Sequence, residues 1–204
     1  IINLLPSREE VRKNLTTYLQ KRGQRPDVIT FAGNGEPTIH PEFVGIIDDV
    51  IEIRNTLAPN AEIVVLTNAT QIHKHHIFDA LSKVDRCMFK LDSALSSTIQ
   101  AINQPSQTID IEKYIENIRK FKGKIIIQTL FIRGTHNGIS FDNTSPEELE
   151  ALIHAYKKIA PDEIVVYGIQ RDTPISTLTK IPKDELTLIA EKIQKSGFAV
   201  STSY

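Results

Sequence analysis

Apolar runs and amphipathic runs alternate along the whole of this chain, and that alternation limits what it can fold into more than any other feature. Residues 27–32 (DVITFA), 62–67 (EIVVLT), 86–92 (RCMFKLD), 124–133 (KIIIQTLFIR), 163–169 (EIVVYGI) and 198–202 (FAVST) are short, rich in Val and Ile, and bounded by turn residues. They read as strands. Between them, apolar side chains recur at helical spacing. Phe43, Ile46, Ile47, Val50, Ile51 and Leu57 form one such set, and Ile111, Tyr114, Ile115, Ile118 and Phe121 a second. Leu149, Leu152, Ile153, Tyr156 and Ile159 form a third, and Leu186, Ile189 and Ile193 a fourth. Ser145-Pro146-Glu147-Glu148 joins a capping box to a proline at the first helical position, and Ser7 with Glu10 makes the same box before Val11 and Leu15. A weaker helix is predicted over 71–84.

The order is therefore a helix, five β–α units and a closing strand. Such alternation predicts a parallel sheet with crossover helices. The strand faces choose between a flat sheet and a barrel. Met88, Lys90 and Asp92 share one face of their strand. Gln128 stands alone among aliphatics, and Val165, Tyr167, Ile169 and Arg171 share a face of theirs. A strand buried on both sides of a flat sheet is apolar on both. These faces instead predict an open, polar interior: a full or partial (β/α) barrel with its site at the C-terminal strand ends. At 204 residues the chain has one domain's length, 1–204.

Composition narrows the function. Lys plus Arg is 24 against 25 for Asp plus Glu, a net charge of −1, and a generic polyanion binder would be more basic. No apolar run approaches the ~20 residues of a membrane span. The single cysteine, Cys87, excludes an intrachain disulfide and a multi-cysteine metal site within these residues. It falls on the helix-facing side of its strand and reads as a small buried apolar residue. His73, His75 and His76 tempt a metal assignment, but no carboxylate or cysteine stands at ligand spacing and they read as solvated surface. The chain opens Ile1-Ile2-Asn3 with no methionine, and a large residue there predicts a polypeptide that starts further upstream.

The candidate site residues follow the strand ends. After the first run comes Gly33-Asn34-Gly35-Glu36-Pro37, whose glycines let a backbone approach a ligand and whose Glu36 adds a carboxylate. Thr67 and Asn68 follow the second run. Lys90, Asp92 and Ser93 close the third, either as ligand contacts or as a Lys90–Asp92 ion pair with Ser93 as a helix cap. Arg133 ends the fourth run, and Arg171-Asp172 lie beyond the fifth.

Residues 28–43, with ITFAGNGEPTIHPEF inside them, resemble the radical S-adenosylmethionine (SAM) superfamily, whose hallmark is a GGEP-type turn after the second barrel strand. Here the turn is Asn34-Gly35-Glu36-Pro37 behind Gly33. The resemblance continues through VLTNAT (65–70), KLDSA (90–94), IQTLFIRG (127–134) and YGIQRDTP (167–174), so it covers nearly the whole chain in order. It implies a partial (β/α)6 barrel, SAM across the strand ends, and a [4Fe-4S] cluster that cleaves SAM reductively to a 5′-deoxyadenosyl radical. That radical abstracts hydrogen from a substrate. Carried over residue by residue, it implies that Gly33, Asn34, Gly35 and Glu36 receive the SAM amino group. Asp92 and Ser93 would hold the ribose, Lys90 with Gln128 or Arg133 would reach the carboxylate, and Ile169 would pack on adenine. Thr67 and Asn68 complete the set.

The family carries three cysteines, CxxxCxxC, after the first barrel strand, and this chain has none before Cys87. The first strand and the cluster loop are accordingly expected upstream of Ile1, and this fragment alone is expected to be inactive. The pattern is most similar to barrel-only organic-radical activating enzymes and iron–sulfur oxidoreductases, and also to wyosine-forming tRNA enzymes. The resemblance implies a peptide, protein or small-molecule substrate, an electron donor such as flavodoxin or ferredoxin, and a cytoplasmic setting. RNA ranks lower for want of a basic or stacking platform. Two other readings compete. One is a cluster-free barrel lyase or aldolase with Lys90 as Schiff-base nucleophile, against which Asp92 argues by keeping the lysine protonated. The other is a barrel that binds SAM or a partner without catalysis.

Overall fold

A computed structural model describes residues 5–21, 26–32, 35–121, 123–170, 173 and 175–203. In chain order the elements are α1 (Arg8–Lys21), β1 (Val28–Phe31), α2 (Phe43–Leu57), β2 (Glu62–Thr67), α3 (His75–Leu81), β3 (Arg86–Lys90), α4 (Ser96–Asn103) and α5 (Ile111–Arg119). Then come β4 (Ile125–Leu130), β5 (Arg133–His136), β6 (Ile139–Asp142), α6 (Pro146–Ile159), β7 (Glu163–Tyr167), β8 (Leu178–Thr179), α7 (Lys183–Lys195) and β9 (Val200–Ser203). Six strands make one sheet in the order β1-β2-β3-β4-β7-β9. The order has two ends and no closure, as a partial barrel requires. β1 with β2, β4 with β7, and β7 with β9 pair in parallel. The chain divides into two compact units, Ile1–Met88 with Phe121–Lys124, and Phe89–Lys120 with Ile125–Tyr204.

In the first unit the predicted capping box forms reciprocally. The Ser7 N–H and hydroxyl donate to Glu10 Oε2 (2.7 and 2.9 Å), and the Glu10 N–H donates to Ser7 Oγ at 3.2 Å. Val11 and Leu15 of α1 then pack with Ile29, Phe31, Ile46, Val50 and Ile63. Charge ties α1 to α2 above that core. Arg8 grips Asp49 with two donors at 2.7 and 2.8 Å, and Arg12 spans Asp49 (2.9 Å) and Glu52 (2.9 Å). Asp49 is only 6% exposed. The hydrogen bond from Arg8 holds its carboxyl below the usual carboxylate range, against the opposing pull of burial.

A carboxylate depressed in the folded state stabilises it above the unfolded pKa of about 3.9, and that contribution is lost as pH falls through the lower folded value. Stability should therefore drop on acidification below about pH 4, and Asp49→Asn should flatten that part of the profile while lowering the plateau above it. Thermal midpoints collected from pH 2 to 7 for both proteins check this. Identical acid slopes would show that Asp49 is not responsible.

The second unit holds an addition that the strand–helix alternation does not predict. The expected strand 124–133 ends at Leu130, and Arg133–His136 instead joins a separate antiparallel sheet of order β6-β5-β8. The β5–β6 turn is Asn137-Gly138, both at positive φ (50° and 76°), the arrangement that suits a two-residue hairpin. Gly134, at φ 154°, allows β8 to come close: a Cβ there would sit 2.5 Å from the Thr177 carbonyl oxygen. The other departures are shorter. The strand expected at 86–92 stops at Lys90 and that at 163–169 stops at Tyr167. The weak helix 71–84 contracts to His75–Leu81, and α4 forms where no helix is predicted.

Candidate functional site

The first unit brings together Glu36, Thr67 and Asn68, three of the residues that the sequence singles out. β1 and β2 pair in parallel and deliver their C-terminal turns side by side. Glu36 spans the two turns. Its Oε1 accepts from the Thr38 N–H (3.1 Å) and from the Thr67 hydroxyl (2.6 Å), and its Oε2 accepts from the Asn68 N–H (2.6 Å). The Thr38 hydroxyl adds a further donor at 2.5 Å. Thr67 Oγ1 in turn accepts from the Ala69 N–H (3.0 Å), and Asn68 Oδ1 accepts from the Thr70 N–H and hydroxyl. Glu36 thus organises this corner, a role that its motif position alone does not reveal. Gly35 is exposed, and a Cβ there would meet nothing within 4 Å, so the chain leaves space at its backbone. Gly33 and Asn34 lie outside the described residues.

A cavity of about 440 Å³ opens beside this turn, lined by Phe31, Gly35, Glu36, Pro37, His40 and Phe43 among others. His40 fixes its rim. Its Nδ1 accepts from the Glu42 N–H at 3.0 Å, so Nε2 carries the proton and donates to the Pro6 carbonyl at 2.9 Å. Among the described residues there is no group of three or more side chains that would hold a metal. His75 pairs with Asp79 at 2.6 Å, and His73 Nδ1 lies 3.0 Å from the Thr70 carbonyl oxygen. Cys87 is buried with its Sγ 3.5 Å from the Leu81 carbonyl oxygen, and burial pushes its thiol pKa far up. The residues present do not fit an iron–sulfur cluster.

The second unit gathers Lys90, Asp92 and Ser93, but it turns two of them inward. Asp92 and Ser93 carry no exposed surface. Asp92 Oδ1 accepts from the Leu130 N–H at 2.9 Å, and Oδ2 accepts from the Lys90 ammonium. Lys90 also donates to Asn103 Oδ1 at 2.7 Å. Ser93 Oγ donates to Glu148 Oε2 (2.6 Å) and accepts from the Leu95 N–H (2.9 Å). The ion-pair alternative for Lys90 and Asp92 is therefore the geometry observed. Ser93 shapes the turn ahead of α4, whose N-cap is Leu95. No oxygen of Asp92 or Ser93 faces outward for a ribose. Lys90 is occupied by its ion pair with Asp92 and its hydrogen bond to Asn103, which counts against a role as a free amine nucleophile.

Arg133 is likewise committed. It donates to Thr144 Oγ1 (2.5 Å), pairs with Glu185, and its Nε lies 3.3 Å from Asp142 Oδ2. These partners fasten the hairpin to α7. Gln128 and Ile169 are half-buried, Gln128 on the face of β4 opposite buried Thr129, and Ile169 just past β7. Arg171 and Asp172 fall outside the described residues. Sequence reasoning missed the fully buried Asn143, whose amide donates to the carbonyls of Asp92 and Leu130 (2.7 Å each) and whose Oδ1 accepts from the Ile132 N–H (2.7 Å). An asparagine in a polar loop before a helix cap gives no signal of such a role.

The fold as a whole matches a known architecture. A domain of pyruvate-formate lyase-activating enzyme from Bacteroides vulgatus superposes with a TM-score of 0.63 at 16% identity, over 86% of this chain and 98% of that one. This is the radical SAM fold. A radical SAM methyltransferase from Sphaerobacter thermophilus matches with a TM-score of 0.64 at 13% identity, over 96% of this chain and 57% of that one. The Escherichia coli radical SAM enzyme HemN, a coproporphyrinogen III oxidase, matches with a TM-score of 0.59 at 15% identity, over 93% and 46%. At these identities the likeness establishes the fold alone.

By sequence, the radical SAM-like chain is 31% identical to a UPF0026 protein of Synechocystis sp. over 153 residues, 73% of this chain and 52% of that one. It is 25% identical to a UPF0026 protein of Helicobacter pylori (strain J99) over 187 residues, 90% and 54%. A protein named GTPase Obg from Brachyspira hyodysenteriae is 28% identical over 151 residues, 72% of this chain but 20% of that one. The chain therefore spans about half the length of the UPF0026 relatives and a fifth of the Obg protein. No GxxxxGK[ST] run occurs in the 204 residues, so nothing here matches a phosphate-cradling loop of that kind. No family model matches the chain. Among the described residues, no helix is long and apolar enough to cross a membrane.

Proposed function

We propose that this chain is the SAM-binding core of a radical SAM enzyme that acts in the cytoplasm on a peptide, protein or small molecule. The observation that carries the reading is the Glu36 corner, set within a radical SAM fold. One carboxylate locks the turns after β1 and β2 together, and the Gly35 backbone beside it faces open space. In this reading residues 33–36 receive the SAM amino group, and the resemblance assigns Lys90 and Gln128 to the SAM carboxylate and Ile169 to adenine. Asp92 and Ser93, fully buried in their own unit, act there as structural groups.

The [4Fe-4S] cluster would be held by residues outside these 204, because the described residues do not fit it. When bound, it supplies the electron for reductive SAM cleavage, drawn from a donor such as flavodoxin or ferredoxin. The chain's own contribution is to hold SAM at the strand ends.

The gene's sequence ahead of Ile1 and an anaerobic assay test this together. Three cysteines at CxxxCxxC spacing are expected upstream. The reconstituted protein is expected to release 5′-deoxyadenosine from SAM under a strong reductant. A protein that neither binds SAM in equilibrium dialysis nor encodes clustered cysteines would overturn the reading.

A further inference from the structure

Asn143 follows β6 directly in the second unit and has no exposed surface. Both polar atoms of its side chain are engaged. The amide nitrogen donates to the carbonyls of Asp92 and Leu130 at 2.7 Å each, and Oδ1 accepts from the Ile132 N–H at 2.7 Å. The Asn143 N–H also donates to the Ile132 carbonyl at 3.3 Å. A side chain so enclosed and so engaged acts through its neighbours.

Those neighbours are two strand ends. β3 and β4 lie side by side in the sheet, and the Leu91 N–H donates to the Gln128 carbonyl at 2.9 Å. Beyond that bond, side chains take over from the backbone. The Thr129 hydroxyl donates to the Leu91 carbonyl (2.8 Å), Asp92 Oδ1 accepts from the Leu130 N–H (2.9 Å), and the Asn143 amide bridges the Asp92 and Leu130 carbonyls. Thr129 and Asp92 belong to the segments they join. Asn143 comes from outside them, 13 residues after Leu130 and 51 after Asp92. It is the wedge that fixes the spacing of the two ends. A planar amide suits the task, since it offers two donors and an acceptor, where an aspartate would turn an oxygen on both carbonyls.

Each strand carries one residue that the resemblance assigns to the SAM carboxylate. Lys90 ends β3, is paired to Asp92 and keeps 33% of its side chain exposed, and Gln128 lies on β4 two residues before its end. Groups on separate strands meet one ligand only when the strands are held at a fixed spacing. We propose that Asn143 is a positioning residue: by bridging the ends of β3 and β4 it sets Lys90 and Gln128 at the spacing that takes the methionyl carboxylate of SAM. The inference rests on the SAM reading above.

Asn143→Ala, made in the protein as its gene encodes it, tests this with two probes in equilibrium dialysis well below the variant's thermal midpoint. SAM carries the methionyl carboxylate and 5′-deoxyadenosine lacks it. SAM affinity should fall roughly tenfold, and 5′-deoxyadenosine affinity should stay within about twofold. In a Lys90→Met, Gln128→Ala background the same substitution should change SAM affinity by no more than about twofold, because the groups it acts through are gone. A purely structural asparagine would move both probes together or neither. Unchanged SAM affinity, an equal loss for both probes, or an undiminished loss in the double-variant background would each overturn the assignment and leave the SAM reading standing. Wild-type protein that binds neither probe would remove both. If the alanine variant does not fold, Asn143→Ser, whose hydroxyl keeps one donor, carries the same comparison. Failure of both variants to fold would make Asn143 structural and overturn the proposal.

Discussion

Asp92→Ala is expected to destabilise the protein by about 3 kcal/mol, because it strips the partner from a paired charge and from a buried backbone donor. Asp92 has no exposed surface, and its two oxygens serve different elements. Oδ1 takes the Leu130 N–H at the end of β4, and Oδ2 takes the Lys90 ammonium at the end of β3. Asn143 doubles the link by donating to the Asp92 and Leu130 carbonyls. Without the carboxylate, the Leu130 N–H is left unsatisfied in the interior and Lys90 keeps only Asn103. Lys90 is half-buried and recovers part of its loss in water, which keeps the figure at the lower end for a broken interior pair. Denaturant unfolding of the variant measures it. A family-based ribose contact predicts the opposite pattern, namely intact stability with lost SAM binding, so one variant separates the two roles. Lys90→Met with Asp92→Leu should recover part of the loss, since two apolar groups of similar size replace an ion pair with little penalty.

The parallel sheet was legible because its information is periodic. Runs such as 62–67 and 163–169 repeat Val and Ile at a spacing that only strands satisfy, and Ser145-Pro146 and Ser7 mark their helices by local hydrogen-bond chemistry. The hairpin was missed for a physical reason as well. The apolar run 124–132 continues without a break past Leu130, and Phe131 and Ile132 are as buried as any strand residue. What ends the strand is a side chain far along the sequence: Asn143 accepts from the Ile132 N–H in place of a neighbouring strand. Propensity carries no trace of that. The turn signal Asn137-Gly138 was available, flanked by Thr135-His136 and Ile139-Ser140-Phe141, and it marks the hairpin once Arg133 is no longer assigned to a ligand.

For the site, the sequence indicates which residues stand at strand ends but not which way they face. Lys90, Asp92 and Ser93 occupy three strand-end positions, yet only Lys90 reaches the surface, because the chain leaves the strand at Lys90 and the alternation of faces stops with it. Face assignments hold inside a strand, as Gln128 and Tyr167 show, and lapse one residue beyond it.

Glu36→Ala should have the largest functional effect of any single change in the first unit, with SAM affinity falling on the order of a hundredfold as the two turns separate. The carboxylate is the only group joining residues 36–38 to Thr67 and Asn68 through side-chain hydrogen bonds among the described residues, and its removal leaves the buried Thr38 and Thr67 hydroxyls without an acceptor there. Glu36→Gln distinguishes organisation from charge. Its amide oxygen can stand where Oε1 stands and keep the Thr38 N–H, Thr38 hydroxyl and Thr67 hydroxyl, and only the Asn68 N–H would then face an amide donor. If Glu36 acts by holding the corner, the glutamine variant should retain affinity within about tenfold of the wild type and far above the alanine variant. If it acts by neutralising the SAM ammonium directly, glutamine should be nearly as poor as alanine, since the charge is gone in both. Equilibrium dialysis of the three proteins against SAM reads the difference, and the saturation of Glu36 by donors from its own chain favours the first outcome.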